Sequence, residues 1–105
     1  MNDNLQNKLN ELKKGYVEKL KSSVINLQEL LNNIEALNIE ELYGNVHKIS
    51  GTSGMYGFNE LSSLSTEFEL YLKEIKNGDG SFVQSELNDK LTQYIISIKN
   101  VIMEG

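Results

Sequence analysis

The stretch NIEELYGNVHKISGTSGMYGF, residues 38–58, contains the helix signals from which the fold can be predicted. Asn38 precedes Glu41 by three residues, the spacing of a capping box, in which the first side chain caps a helix N-terminus. We therefore predict a helix that begins at Ile39. Three apolar residues recur inside it at helical intervals, namely Leu42, Val46 and Ile49. The stretch Gly54-Met55-Tyr56-Gly57 predicts its end, because glycine readily adopts the left-handed conformation that follows a helix.

The segment before residue 38 shows the same helical spacing. Its apolar stripe consists of Leu5, Leu9, Leu12, Tyr16, Leu20, Val24, Leu27, Leu31 and Ile34. Gly15 interrupts this stripe, and glycine disfavours helix interiors. We therefore predict a short N-terminal helix followed by a longer one.

Two further helices are predicted after residue 58. Asn59 is expected to cap the first, whose apolar stripe consists of Leu61, Leu64, Phe68, Leu72 and Ile75. The stretch Asn77-Gly78-Asp79-Gly80 is interpreted as a helix-helix turn, because the sequence on both sides has helical periodicity. Ser81 and Gln84 repeat the capping-box spacing. The last helix has the stripe Leu87, Leu91, Tyr94, Ile98 and Val101.

These features predict an all-α chain. Proline is absent, and apolar residues recur at intervals of three and four almost throughout the 105 residues. Short turns require neighbouring helices to run antiparallel, so we expect an up-down-up-down four-helix bundle with an additional short N-terminal helix. Residues 1–105 are expected to form one domain, because a chain of this length buries about 65% of its unfolded surface.

Composition and charge exclude several classes of function. Cysteine and tryptophan are absent, which excludes disulfides, thiol catalysis and cysteine-based zinc sites. The chain has 15 acidic and 10 basic residues, a net charge of −5, and every basic residue is lysine. This balance argues against nucleic acid and anionic membranes as partners. Because no signal peptide or membrane-spanning run is present, we expect a soluble cytoplasmic protein.

His47 is the only histidine, and the helical pattern turns it away from the core. At about 100° per residue, the apolar stripe of its helix lies on the opposite face. Gly44, Gly51 and Gly54 cluster on the same side as the imidazole. Each glycine in a helix costs about 1 kcal/mol relative to alanine, so this cluster favours a surface that another molecule approaches closely. The alternative is that Gly51 and Gly54 simply belong to a fraying helix end.

The stretch HKISGTSGMYGF, residues 47–58, resembles the histidine-containing phosphotransfer (HPt) domain, and the resemblance continues to Phe68 and Glu69. The matching positions after the histidine are Ile49, Gly51, Ser53, Gly57, Leu61, Phe68 and Glu69. The segment around Tyr56-Gly57-Phe58 is also similar to the phosphotransfer domain of chemotaxis kinases. One position departs from the family pattern, because Ser50 stands where the family usually has lysine.

The resemblance implies a function for His47 as a phosphoacceptor. It would accept a phosphoryl group from a receiver-domain aspartate or a histidine kinase and pass it to another response-regulator receiver. A neutral imidazole suits this role because one ring nitrogen has a free lone pair while the other keeps its proton. We expect no metal or cofactor in this chain, since Mg²⁺ is expected in the partner receiver or kinase. The protein is expected to be a monomer.

Glu69 is predicted to orient the imidazole. If two antiparallel helices turn about Phe58, residues whose numbers sum to 116 lie level, which places His47 opposite Glu69. The same register places Ser50 opposite Thr66 and Tyr43 opposite Lys73. A carboxylate on the proton-bearing ring nitrogen would fix the tautomer, and the family resemblance supports this role. The alternative is a pair between Glu69 and Lys73 at i+4.

The remaining site residues fall into two predicted groups. Lys48, Ser50 and Gly51 are candidate neighbours of the phosphoryl group, with Gly51 giving clearance for the partner. A predicted docking surface consists of Tyr43, Gly44, Gly54, Leu70 and Lys73. Elsewhere, Met55 and Phe58 are expected to plug the end of the bundle.

The sequence fits other functions less well than phosphotransfer. Metal ligation by His47 is disfavoured because the chain has no second histidine and no cysteine, and no hydrolase centre is indicated. A helical interaction module that binds a signalling partner without being phosphorylated remains an alternative, because Ser50 replaces the usual lysine. The dimeric phosphoacceptor domain of sensor kinases is disfavoured, because its acidic residue after the histidine and its nearby proline are missing.

Overall fold

The computed structural model describes residues 2–104, and Met1 and Gly105, which the single-domain prediction includes, lie outside the described residues. The structure consists of the helices α1 (Asn2–Asn32), α2 (Ile39–Met55), α3 (Asn59–Asn77) and α4 (Gln84–Glu104), with a 3₁₀ turn at Ile34–Ala36. No strand occurs within residues 2–104. The predicted all-α class and its four main helices are confirmed.

The separate short N-terminal helix was predicted wrongly. α1 runs without interruption through Gly15, where a Cβ atom would meet nothing within 4 Å. A single glycine costs a helix about 1 kcal/mol, whereas the residues that follow it bury apolar side chains in the core, including Tyr16 and Leu20. Burial of several such side chains outweighs that cost.

The apolar stripe of α1 is buried only from Tyr16 onward. Tyr16 is hydrogen-bonded to Thr52 in the last turns of α2, at an oxygen-oxygen distance of 2.8 Å. The preceding part of α1 therefore extends past the end of α2. The leucines at its start, which the periodicity placed in the core, are exposed: Leu5, Leu9 and Leu12.

Side-chain contacts show that α2 and α3 run antiparallel. Ser50 of α2 contacts Thr66 of α3, while Gly54, one turn later, lies against the earlier residue Ser62. All four helices contribute to a single core. The fully buried side chains at its centre include Leu20, Leu27, Leu42, Val46, Leu61, Leu72, Leu87, Leu91 and Ile98. None of the helices within residues 2–104 combines the length and apolar character needed to span a membrane.

Both predicted ends of α2 are confirmed. The Asn38 side chain accepts hydrogen bonds from the backbone N–H groups of Glu40 and Glu41, at 2.9 and 3.3 Å. At the other end, Gly57 has a φ of +85° and its N–H donates to the Gly54 carbonyl. The next N–H, from Phe58, donates to the carbonyl of Ser53, which completes a Schellman motif.

The two other predicted caps are wrong. Asn59 lies inside α3, because the motif that ends α2 leaves Phe58 at the cap position and its carbonyl accepts the first helical hydrogen bond. Ser81 donates its hydroxyl to Asp79 instead of capping α4, which begins at Gln84. Asp79 thus organises the turn before α4.

Two expected core positions are also corrected. Leu64 is exposed, and the neighbouring Ser65 is fully buried, where its hydroxyl is hydrogen-bonded to that of Tyr94 at 2.7 Å. Burial raises the pKa of Tyr94 far above the ordinary value, so this phenol stays protonated. Met55 is 80% exposed and does not plug the bundle end, whereas Phe58 stacks on Tyr16 there.

Candidate functional site

His47 projects from the middle of α2 into solvent. Its side chain is 68% exposed, while Val46 and Ile49 on the opposite face of the helix are buried. The buried face holds α2 against the bundle, so the backbone that bears the histidine is fixed although its ring is accessible. This is the orientation predicted from the helical periodicity.

Glu69 of α3 binds the imidazole across the helix pair, as the register predicted. Nδ1 of His47 lies within hydrogen-bond distance of the Glu69 carboxylate. An ionised carboxylate only accepts, so Nδ1 donates and carries the ring proton. The Glu69 side chain is only 17% exposed, and it follows the buried Phe68 in α3. The second ring nitrogen, Nε2, is left with its lone pair on the exposed part of the ring.

The alternative partner for Glu69 is not used in this structure. Lys73 is exposed, and it makes no ion pair with any side chain of residues 4–104. The i+4 pair between Glu69 and Lys73 is therefore absent from the described part of the chain. Glu69 is engaged with the histidine.

Ser50 occupies the position where the family pattern has lysine, and its side chain turns toward α3. Its hydroxyl is hydrogen-bonded to that of Thr66 at 2.8 Å, as the register predicted, and its carbonyl accepts from the Ser62 hydroxyl at 3.0 Å. Lys48 is exposed and forms no ion pair with any described residue. Position 50 therefore carries a hydroxyl that is bound to α3, where the family pattern has the ammonium of a lysine.

Tyr43 stacks against the imidazole one turn earlier in α2. The two ring centroids are 5.8 Å apart and the planes differ by 12°. Lys76 of α3 places its ammonium 3.9 Å from the centre of the Tyr43 ring and 3.1 Å from the Glu40 carboxylate. The register places Tyr43 level with Lys73, and the side chain that contacts the ring is that of Lys76, the lysine one turn further along α3.

Sequence reasoning missed Lys76 as a neighbour of the site. The same register that paired His47 with Glu69 also places Lys76 level with Glu40, a pair of opposite charges. That signal was available in the sequence. The contact with the Tyr43 ring was not, since it depends on how the lysine side chain folds back along the helix pair.

The sequence matches the model of a known domain family. The sequence model of the Hpt domain matches residues 5–100, which is most of the chain. The chain belongs to the Hpt domain family. Neither a curated protein nor a solved structure matches it. Hpt domains act in histidine phosphotransfer in two-component systems and interact with receiver domains and kinases.

The glycines of this Hpt domain near His47 are of two kinds. A Cβ atom added at Gly44 or Gly51 would meet nothing within 4 Å, so packing inside the domain does not require glycine at either position. A Cβ atom at Gly54 would lie 3.2 Å from the Ser62 hydroxyl. Gly54, predicted as part of the docking surface, therefore has a packing role where α2 and α3 approach closely.

Two of the other predicted docking residues lie on the exposed side of α3, and the third lies in α2. Leu70 follows Glu69 and is largely exposed, as is Lys73 one turn after Glu69. Tyr43 is half-buried at the edge of the core. Their roles in binding a partner of this Hpt domain stay predictions. Among the side chains of residues 4–104, no group of three His, Asp or Glu residues could hold a metal ion.

Proposed function

We propose that this Hpt domain is a monomeric, cytoplasmic phosphorelay intermediate with His47 as its phosphorylated residue. It accepts a phosphoryl group from a receiver-domain aspartate or a histidine kinase and passes it to another response-regulator receiver. One observation carries the proposal: an exposed imidazole whose Nδ1 is bound by the recessed Glu69 carboxylate. This arrangement leaves Nε2 as the nucleophile on the accessible side of the ring.

The proposed step is an in-line transfer to Nε2 of His47. Its lone pair attacks the phosphorus of an aspartyl phosphate, and the Nε2–P bond forms as the bond from phosphorus to the aspartate oxygen breaks. The aspartate leaves as a carboxylate with that electron pair. The imidazole keeps its proton on Nδ1, and the positive charge that develops on the ring is balanced by Glu69. Transfer to the next receiver reverses these bond changes.

The remaining charge stabilisation is assigned to the partner. Phosphoryl transfer depends on cations around the transferring group, and Ser50 contributes a neutral hydroxyl bound to Thr66. We propose that Mg²⁺ held by the receiver or kinase supplies this charge and that this chain binds no cofactor. Lys48 is the nearest lysine in sequence and is proposed to approach the phosphoryl group when a partner docks.

A second candidate is an interaction module that binds its partner without being phosphorylated. The observation that favours it is Ser50, which leaves the usual lysine position without a cation. The two candidate functions differ in whether a phosphoryl group is transferred between this chain and the receiver that it binds. The module would bind a receiver and leave the receiver's phosphate in place.

Transfer between purified proteins tests the proposal. The chain is phosphorylated with phosphoramidate, repurified, and mixed with candidate receiver domains and Mg²⁺. We expect the acid-labile phosphate to leave the chain and to appear on a receiver as an acyl phosphate, which hydroxylamine cleaves. A receiver that binds the chain but exchanges no phosphate in either direction would support the interaction module.

The open glycines give a second prediction, in which stability and transfer change in opposite directions. Replacing Gly51 or Gly44 with alanine is expected to stabilise the free protein by about 0.5–1 kcal/mol, because helix interiors disfavour glycine. The added methyl is expected to slow transfer to a receiver about tenfold, since overpacking a close interface costs about 1–3 kcal/mol. Thermal unfolding and transfer kinetics measure the two effects.

Gly15 provides the matched control for these variants. It lies within α1 and its Cβ position is equally open. Gly15→Ala is expected to give the same gain in stability with no change in transfer. If Gly51→Ala and Gly44→Ala transfer as fast as Gly15→Ala, the partner does not approach this part of α2 closely.

A further inference from the structure

Three side chains from two helices form a column beside the phosphoacceptor. Lys76 lies between the Glu40 carboxylate at 3.1 Å and the Tyr43 ring at 3.9 Å, and its side chain is only 24% exposed. Tyr43 in turn stacks on His47. Because Glu40, Tyr43 and His47 occupy successive turns of α2, the Tyr43 ring separates the ammonium from the imidazole.

The imidazole needs a second contact to be held in one orientation. The hydrogen bond to Glu69 fixes the position of Nδ1, but one hydrogen bond leaves the ring free to rock about that atom. A stacked aromatic ring restricts this motion, because it opposes any change in the tilt of the imidazole plane. Nε2 is the atom whose position depends on that tilt.

Tyr43 is itself held in place. Its ring is packed against the core on one side and is contacted by the Lys76 ammonium. Cation-π contacts are stronger when the cation is partly desolvated, as it is here. The ion pair with Glu40 keeps the ammonium at the level of the ring instead of in solvent.

We propose that Tyr43 and Lys76 are positioning residues that hold the His47 ring so that Nε2 faces the incoming phosphoryl group. This inference rests on the proposed function, because it assigns a role in the same phosphoryl transfer. Tyr43 acts through its contact with the imidazole, and Lys76 acts through Tyr43. The role differs from docking, in which Tyr43 would contact the partner and leave the histidine unaffected.

Phosphoramidate separates positioning from docking, because this donor is too small to need a docking surface. We expect Tyr43→Leu to slow phosphorylation of His47 by phosphoramidate about fivefold to tenfold, the scale of one aromatic pair. Tyr43→Phe keeps the ring and is expected to stay within about twofold of wild type. Lys76→Met keeps most of the side-chain volume without the charge, and we expect a loss of about twofold to threefold.

Tyr71 and Lys90, which lie away from His47, provide a matched control. Lys90 lies 4.8 Å from the centre of the Tyr71 ring, the same kind of contact between α3 and α4. Tyr71→Leu and Lys90→Met remove it without touching the His47 site. Both controls are expected to react with phosphoramidate at the wild-type rate.

A second readout does not depend on phosphorylation. Nitrogen-15 NMR of the unmodified protein reports the tautomer and exchange of the two His47 ring nitrogens. In wild type we expect one tautomer with the proton on Nδ1. In Tyr43→Leu we expect shifts averaged toward the other tautomer, because a ring that rocks more bends and weakens its hydrogen bond to Glu69. Tyr43→Phe is expected to restore the wild-type shifts.

Two results would overturn the inference. One is a Tyr43→Leu protein that matches wild type both in its ring nitrogen shifts and in its rate with phosphoramidate. The other is a variant that slows only transfer to receivers, which would make Tyr43 a docking contact. Failure of the proposed function is distinguishable from both, because wild type would then take up no phosphate on His47 while the NMR comparison still reports the ring.

Discussion

Replacement of His47 with glutamine is expected to abolish phosphoryl uptake from phosphoramidate and from phosphorylated receivers. Glutamine is similar in length to histidine but has no nitrogen with a free lone pair, so the Nε2–P bond cannot form. The fold is expected to persist, because the side chain is mostly exposed and the buried face of α2 is unchanged. Intact-mass spectrometry and circular dichroism measure the two results.

The variant also discriminates between the two candidate functions. A phosphocarrier loses all transfer with His47→Gln, even where its binding to a receiver survives. An interaction module keeps its activity in the same variant, because binding alone is its function. Retained signalling activity in His47→Gln, with receiver binding unchanged, would contradict the phosphorelay account.

Substitution of Glu69 is expected to give the second largest effect. Glu69→Ala removes the group that binds Nδ1, and we expect transfer to slow about a hundredfold, consistent with hydrogen bonds to charged groups of about 1.5–3 kcal/mol. Glu69→Gln retains an acceptor but not the negative charge, so a smaller loss of about tenfold is expected. Single-turnover kinetics with a fixed receiver would measure both rates.

Glu67 supplies the control for this comparison. It lies on the same helix and carries the same charge, but it faces the groove between α3 and α4 with Tyr71 and Lys90. Glu67→Gln makes the same change in net charge and is expected to transfer at the wild-type rate. Equal losses in Glu67→Gln and Glu69→Gln would show that overall charge, and not contact with the imidazole, sets the rate.

The features predicted correctly from sequence are those set by local geometry. The ends of α2 were predictable because an N-cap side chain and a left-handed glycine act within a few residues. His47 and Glu69 are 22 residues apart in sequence, yet their contact could be predicted from the position of one turn. Once two helices are antiparallel and their turn is known, the register between them is fixed.

The features that could not be predicted from the sequence depend on which distant parts of the chain cover a given side chain. Periodicity identifies the apolar face of α1 but does not say where the other helices end, so Leu5 and Leu9 were placed in the core although they are exposed. Ser65 is buried in place of Leu64 because Tyr94, from a distant part of the chain, supplies its hydrogen bond. The contact between Lys76 and the Tyr43 ring could not be predicted, because the register gives the level of a residue and not the reach of its side chain.

Glu69 binds Nδ1 of His47, and we propose that Nε2 accepts the phosphoryl group. The most direct test is NMR of the wild-type protein, labelled with nitrogen-15 and phosphorylated with phosphoramidate, using the coupling between phosphorus and the ring nitrogens. We expect a single acid-labile phosphate coupled to Nε2 of His47, with Nδ1 still protonated. A phosphate on Nδ1, or no phosphate on the histidine at all, would contradict the proposal.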